Sequence, residues 1–225
     1  NKSIAAIVPA AGLGTRMKSK KPKFLHEVCG RPIISHIIYS LIDICDEVII
    51  VVGNCAEEVI EHVQQEFSSH KEFSKIKFGR QAELLGSADA VRVGLEIVSE
   101  PIENIFVQLG DVPLMTKAIA SEIISKFNSE NSKLLIATAI LDDPYGYGRI
   151  VRNDNGEIQK IVEEKDCDES QKKISESNMF PFVFSKAFLK SALPKVKSNN
   201  QQKELYLTDC VGIASDENEI IASYI

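Results

Sequence analysis

The sequence predicts an α/β fold, a doubly wound, mostly parallel sheet with a β-rich insertion in its second half. Three observations carry that reading. Apolar stretches at residues 4–10, 47–53, 104–111 and 133–141 read as strands buried on both faces. Segments with helical spacing separate them, and repeated strand–helix units with short connections set helices on both sides of a parallel sheet. After Asp142 the rhythm changes to short β-like pieces bounded by turn residues.

Taken in order, the strand at 4–10 runs into the small-residue turn Ala10-Ala11-Gly12-Leu13-Gly14. A helix near 32–45 follows, with Pro32 in its first turn, where a missing N–H costs nothing. EVIIVVG (47–53) is a buried strand, and residues 56–67 put Val59, Ile60, Val63 and Phe67 on one helical face. A short strand near 76–80 leads to a helix at about 87–98. The strand at 104–111 leads to a helix over 119–127, and KLLIATAIL (133–141) is the next strand. Beyond it, Ile150, Ile158, Ile161 and Val162 supply the apolar content of a hairpin turning at Asp154-Asn155-Gly156. Phe180, Phe182, Phe184 and Phe188 read as core, and the polar residues 166–177 as a mobile loop. One domain is expected over 1–225, with halves at 1–141 and 142–225 that do not fold separately.

Composition excludes more than it selects. The 225 residues suffice for a sizeable core, and 44% hydrophobic with 26% charged residues is ordinary for a globular chain. A net charge of -6 argues against a nucleic-acid partner. No run approaches the roughly 18 apolar residues of a membrane span, so no membrane partner is expected. The cysteines number five and form no C-x-x-C pair, which points to reduced thiols in a cytoplasm. His26, His36, His62 and His70 have no metal-binding spacing.

The turn after the first strand is the chemical signal. Its small residues leave the backbone open to close approach, and glycine accepts positive φ, as a phosphate cradle requires. Arg16, Lys18, Lys20, Lys21 and Lys23 then crowd into a chain that is acidic as a whole. That pattern predicts a polyphosphate seat; an ordinary strand-to-helix turn with solvated lysines is the competing reading. A dinucleotide fingerprint is excluded because Met17 holds the third glycine position and Val52-Gly53-Asn54 ends the second strand without an acid. No P-loop motif occurs. Asp111, placed at the carboxyl end of a strand, suits Mg²⁺, which takes few protein ligands; a strand-end turn before Pro113 is the alternative.

Ala10-Ala11-Gly12-Leu13-Gly14-Thr15-Arg16-Met17 followed by Lys21-Pro22-Lys23 resembles the A-A-G-x-G-T-R-M…K-P-K signature of sugar-nucleotide pyrophosphorylases. QAELLGSADAV (81–91), QLGDVPL (108–114), DDPYGYGRIVR (142–152), IVEEKD (161–166), Asn178 and NNQQKELYLTD (199–209) resemble later motifs in the same order. Their spacing is most similar to the uridylyltransferase domain of bacterial N-acetylglucosamine-1-phosphate uridylyltransferases. The resemblance implies a Rossmann-like nucleotidyltransferase that uses Mg²⁺, UTP and N-acetylglucosamine 1-phosphate to make UDP-N-acetylglucosamine. Another sugar 1-phosphate (glucose or mannose), or a nucleotide-binding homologue without turnover, are the alternatives.

Carried over residue by residue, the resemblance makes Arg16 and Lys23 catalytic and Asp111 the metal ligand. Ala10, Ala11, Gly12, Gly14, Thr15, Gln81, Gly86 and Ser87 would bind the nucleotide, although Ser87 could instead cap a helix. Gly148, Glu163, Asn178, Tyr206 and Thr208 would bind the sugar, making 142–225 the sugar half. Two residues depart from the pattern: Leu13 replaces a lysine, and Phe180 stands where N-T-G has its glycine, so it would crowd the sugar pocket or mark a shifted backbone. The family's second metal ligand, an asparagine beyond the last matched motif, has no counterpart to assign. No hexapeptide repeat of an acetyltransferase β-helix appears, so no acetyltransferase activity is expected of these residues. Oligomeric state is left open.

Overall fold

A computed structural model describes residues 2–225 apart from Leu13, Thr15 and Arg16. In chain order its elements are β1 (Ile4–Ala10), a small hairpin of β2 (Glu27–Val28) and β3 (Arg31–Pro32), and α1 (Ile33–Leu41). Then come β4 (Glu47–Val52), α2 (Ala56–Phe67), β5 (Ile76–Arg80), α3 (Ser87–Leu95), β6 (Asn104–Val107) and α4 (Lys117–Ser129). β7 (Leu134–Ile140), β8 (Arg149–Arg152), β9 (Ile158–Val162), β10 (Glu176–Ser185), α5 (Lys186–Ala192), α6 (Asp209–Asp216) and β11 (Ile221–Tyr224) complete it.

One nine-stranded sheet runs through the molecule, with main order β11-β7-β10-β6-β1-β4-β5. β1 lies parallel to β4 and β6 on either side, and β5 extends β4 in the same sense. The alternation of side chains explains why these strands are apolar throughout. Ile7, Ile49, Val51 and Val107 face one layer with Val91 of α3, while Ala6, Val8, Ile50 and Val52 face α1 and α2 through Ile34, Ile38, Val59 and Val63. Each such valine or isoleucine side chain, fully removed from water, contributes about 1.5–3 kcal/mol.

β10 ties the β-rich second half into the main sheet. It pairs antiparallel with β6 and β7 in the middle of the sheet, so the second half supplies a central strand. Phe182 and Phe184 enter one core layer and Val183 the other, and the Phe182–Phe184 and Phe184–Phe188 rings stack at 5.7 and 6.5 Å. Only the β8–β9 hairpin hangs from this frame, turning at the expected residues.

Several boundaries move inward. The strand expected to reach 111 stops at Val107, although Gln108 N and Gly110 N still donate to Ile7 O and Pro9 O at 3.1 and 2.9 Å. The α1 and α3 helices end at Leu41 and Leu95, short of the expected 45 and 98. Within the polar segment, Asp168 Oδ1 accepts from Ser170 N and Gln171 N, both at 2.8 Å, ordering a short turn. All five cysteines are unpaired, and burial pushes the Cys45 and Cys210 thiols up to about 12. Among the described residues, no helix is long and apolar enough to cross a membrane.

Candidate active site

A cavity of about 600 Å³ opens at the carboxyl ends of β1 and β6, within the range typical of small-molecule sites. The first loop lines it with Ala11, Gly12, Gly14 and Lys23; Gln81, Gly86 and Ser87 come from the approach to α3, and Asp111 from the turn after β6. Ala10 is packed in the core behind that wall. Thr15, Arg16 and the departure at Leu13 lie outside the described residues.

The cation cluster divides in the folded chain. Lys18, Lys20 and Lys21 are exposed, and Lys21 pairs with Glu27 at 3.4 Å. Among the described residues, Lys23 is the lysine that lines the cavity. Gly14 makes that possible. Its φ is +61°, and an added Cβ would meet the Lys23 Cβ at 2.7 Å, so only a bare backbone lets the lysine stem cross the loop. The lysine Nζ ends on Asp111 Oδ2, with side-chain exposures of 28% and 32%.

That pairing also bears on a metal. A carboxylate whose Oδ2 already holds an ammonium offers a place for a cation, and the described residues contain no group of three or more His, Cys, Asp or Glu side chains. Such a donor set fits an ion that keeps phosphate oxygens and water as its other ligands.

On the far wall, Gln81 is buried, its backbone N–H donating to Val52 O at 2.9 Å. Its Nε2 donates to Asp89 Oδ2 at 2.7 Å and to Gly86 O at 3.3 Å. Gly86 has φ +123°, and an added Cβ would lie 2.4 Å from Leu205 O. The close approach lets residues 205–207 dock on this wall. Leu205 N donates to Leu85 O at 2.7 Å, Ala88 N to Leu205 O at 2.9 Å, and Leu207 N to the Ser87 hydroxyl at 2.9 Å. Ser87 does not cap α3, because Gly86 holds the cap position; its oxygen ties down the neighbouring segment instead.

That segment leads to the five residues assigned to the sugar, which form a second cluster and do not line the cavity of about 600 Å³. Glu163 Oε1 accepts from Thr208 Oγ1 at 2.9 Å, and an added Cβ on Gly148 would meet Glu163 Oε2 at 3.4 Å. Asn178 N donates to Gly148 O at 2.8 Å, and Asn178 Oδ1 accepts from Phe180 N at 3.3 Å. Tyr206 is buried with its hydroxyl unpartnered among the described residues, and burial pushes its pKa up to about 12. Sequence reasoning missed the support beneath: fully buried Arg149 meets Glu164 Oε2 at 2.7 Å, and the same oxygen accepts from Gly146 N at 3.1 Å. No local sequence signal marks this pair, whose members stand in separate segments.

Phe180 lies beside the sugar cluster, its N–H on Asn178 Oδ1. It has φ +53°, at the register shift between Asn178 and Phe182, which is why glycine suits this position in the pattern. The ring turns onto Phe182, 4.7 Å away and edge-on, and does not line the cavity. The strand register shifts here, and the half-buried ring packs against the core.

Burial, reinforced by the charges of Asp166 and Asp209, raises the Glu163 pKa above its usual 4.5, against the Thr208 hydrogen bond. Between the unfolded and folded values the unfolded chain binds fewer protons, so this carboxyl lowers stability as pH rises. Glu163→Gln is expected to raise Tm near neutral pH and to leave it unchanged well below 4.5, as thermal unfolding at the two pH values would record. An equal shift at both values would contradict the stated cause.

A mostly parallel sheet with a small-residue loop at its central strand end, an inward lysine and a facing carboxylate suits a nucleotidyltransferase, the class that the relatives show. The chain belongs to the MobA-like NTP transferase domain family, whose model matches residues 6–206. It is 38% identical over 222 residues, 98% of the chain, to the bifunctional protein GlmU of Thermoanaerobacter pseudethanolicus. Against the bifunctional protein GlmU of Listeria innocua it is 38% identical over 221 residues, 97% of the chain. The chain spans 46% of the length of each of these relatives.

Solved structures give the same fold. A UDP-glucose pyrophosphorylase complexed with UDP-glucose superposes with a TM-score of 0.77 at 17% identity, over 98% of this chain and 90% of that one. A putative glucose-1-phosphate thymidylyltransferase from Bacillus anthracis gives 0.76 at 21%, over 99% and 86%. The solved structures show the fold, and the GlmU relatives carry the family resemblance along nearly the whole chain.

Proposed function

We infer that this domain transfers a uridylyl group from UTP to N-acetylglucosamine 1-phosphate, giving UDP-N-acetylglucosamine and pyrophosphate. The observation that carries this reading is the Lys23–Asp111 pair, set between a bare-backbone loop and the buried Gln81. The motif order and the GlmU relatives support the choice of nucleotide and sugar.

In the reaction, an oxygen of the sugar phosphate attacks the α-phosphorus in line as pyrophosphate leaves. That oxygen is already anionic at neutral pH, so no general base is required. The barrier is charge, and preorganised cations and N–H groups lower it. Lys23, with Arg16 by its motif, holds the triphosphate and balances charge at the reacting phosphorus. The backbone of Ala11, Gly12 and Gly14 cradles the nucleotide, with Ala10 and Thr15 assigned by their motif alone, while Gln81, Gly86 and Ser87 take the base. Asp111 would hold Mg²⁺, which would neutralise phosphate oxygens when bound. Gly148, Glu163, Asn178, Tyr206 and Thr208 orient the sugar. Loss of one charge-assisted hydrogen bond in Glu163→Gln is expected to raise the KM for sugar phosphate roughly 10-fold or more. The five unpaired thiols suit a reducing cytoplasm.

The sugar is tested with a panel of N-acetylglucosamine, glucose and mannose 1-phosphates, each with UTP, by chromatography of the UDP-sugar formed. The highest kcat/KM with the N-acetyl sugar is the expected result. Preference for another sugar would replace the substrate and keep the reaction. Tight UTP binding with no product from any of them would favour a homologue without turnover, the reading that the missing lysine at Leu13 motivates.

A further inference from the structure

Asp89 sits in the first turn of α3, is 4% exposed, and does not line the cavity. A carboxylate that far from water needs partners, and each of its oxygens has its own. Oδ1 accepts from Arg92 Nε at 3.1 Å and Nη2 at 2.7 Å. Oδ2 accepts from Gln81 Nε2 at 2.7 Å. A carboxylate can only accept, so the amide nitrogen of Gln81 must face Asp89 and its carbonyl oxygen must face elsewhere. The second amide hydrogen goes to Gly86 O at 3.3 Å. Gln81 Oε1 has no hydrogen-bond partner among the described residues, and Gln81 lines the cavity. The side chain thus offers the cavity an acceptor and spends both its donors behind the wall.

We propose that Asp89, itself held by Arg92, is a positioning residue that locks the Gln81 amide with its oxygen toward the cavity, so that the site demands a ring N–H from the base. This rests on the reading of Gln81 as a base contact. Uracil and thymine carry a hydrogen on N3 and satisfy the demand. Cytosine has a lone pair there, which a fixed carbonyl oxygen opposes. A freely rotating glutamine could serve either base equally well by turning its amide over; the carboxylate behind it, at the shorter of the two contacts and backed by Gly86 O, removes that choice. Selection among pyrimidines would then lie in a residue that never touches the nucleotide.

Asp89→Asn tests the lock with no change of shape. Arg92 continues to hold Oδ1, so the new amide nitrogen takes the place of Oδ2 and turns a donor on Gln81. Gln81 then turns its oxygen toward that donor and its nitrogen toward the cavity. The ratio of kcat/KM for UTP over CTP is expected to fall by about 10-fold or more, with the KM for sugar phosphate nearly unchanged. Asp89→Leu, which removes the carboxylate and leaves the longer contact to Gly86 O, should give a smaller fall, and thermal unfolding identifies which variants are folded. Should turnover be absent, the same ratio is read from UTP and CTP dissociation constants by calorimetry. Gln81→Ala separates this inference from the reading beneath it. A ratio that collapses in Gln81→Ala but stays at the wild-type value in both Asp89 variants would overturn the role of Asp89. Equal losses with UTP and CTP in the Asp89 variants would reduce it to a structural part and overturn it too. A ratio untouched by Gln81→Ala would overturn the base contact itself, and this inference with it.

Discussion

Lys23→Ala is expected to lower kcat for uridylyl transfer by about 10²- to 10³-fold, the usual cost of losing one preorganised group at developing charge. The side chain is half-buried, its stem crosses Gly14, and its ammonium reaches the cavity beside Asp111. Lys23→Arg is expected to rescue little, because a planar, forked guanidinium does not put a compact charge where the ammonium meets Asp111. Steady-state kinetics beside calorimetric UTP binding would check both variants. A kcat close to that of the unaltered chain would remove Lys23 from the chemistry.

Asp111→Ala should cut kcat by about 10²-fold or more and raise the Mg²⁺ concentration needed for half-maximal rate. Asp111→Asn keeps the shape without the charge and should behave similarly. Stability makes a useful control. Both partners of the Lys23–Asp111 pair are about one-third exposed, so solvent screening limits the cost of breaking it to about 1 kcal/mol or less. A variant that melts almost normally, yet has lost its rate and metal response, would assign Asp111 to the reaction. Unchanged metal dependence in both substitutions would place the metal elsewhere.

Much of the fold was legible because strands buried on both faces leave a strong local trace. The α2 helix matches its expected span, since Val59, Val63 and Phe67 repeat at helical spacing. The position of β10 was not legible. Phe182, Val183 and Phe184 announce a buried strand, but nothing local says that it pairs between β6 and β7. The overlong strand at 104–111 has a related cause. Gln108 and Gly110 keep bonding to β1 after regular pairing stops, so the segment stays close to its neighbour without remaining a strand.

At the site, the motifs picked out residues and the tertiary structure supplied their orientations. The sequence suggested a cluster of cations, whereas the fold turns Lys23 inward and leaves Lys18, Lys20 and Lys21 in solvent. Gln81 could be read as both donor and acceptor until Asp89 was seen to take one of its donors, a contact across eight residues. Asp89 itself reads as an ordinary acid near a helix N-terminus, where a negative charge is favoured on any function. The docking of Leu205 on Gly86 joins segments 119 positions apart, and only the missing Cβ hinted at it.

The most direct test of the account is pyrophosphate release by the purified chain with Mg²⁺, UTP and N-acetylglucosamine 1-phosphate, beside reactions lacking each component in turn. The account predicts release that requires all three and yields an equal amount of UDP-N-acetylglucosamine. Release that continues without the sugar phosphate, or none at all although UTP binds, would contradict it.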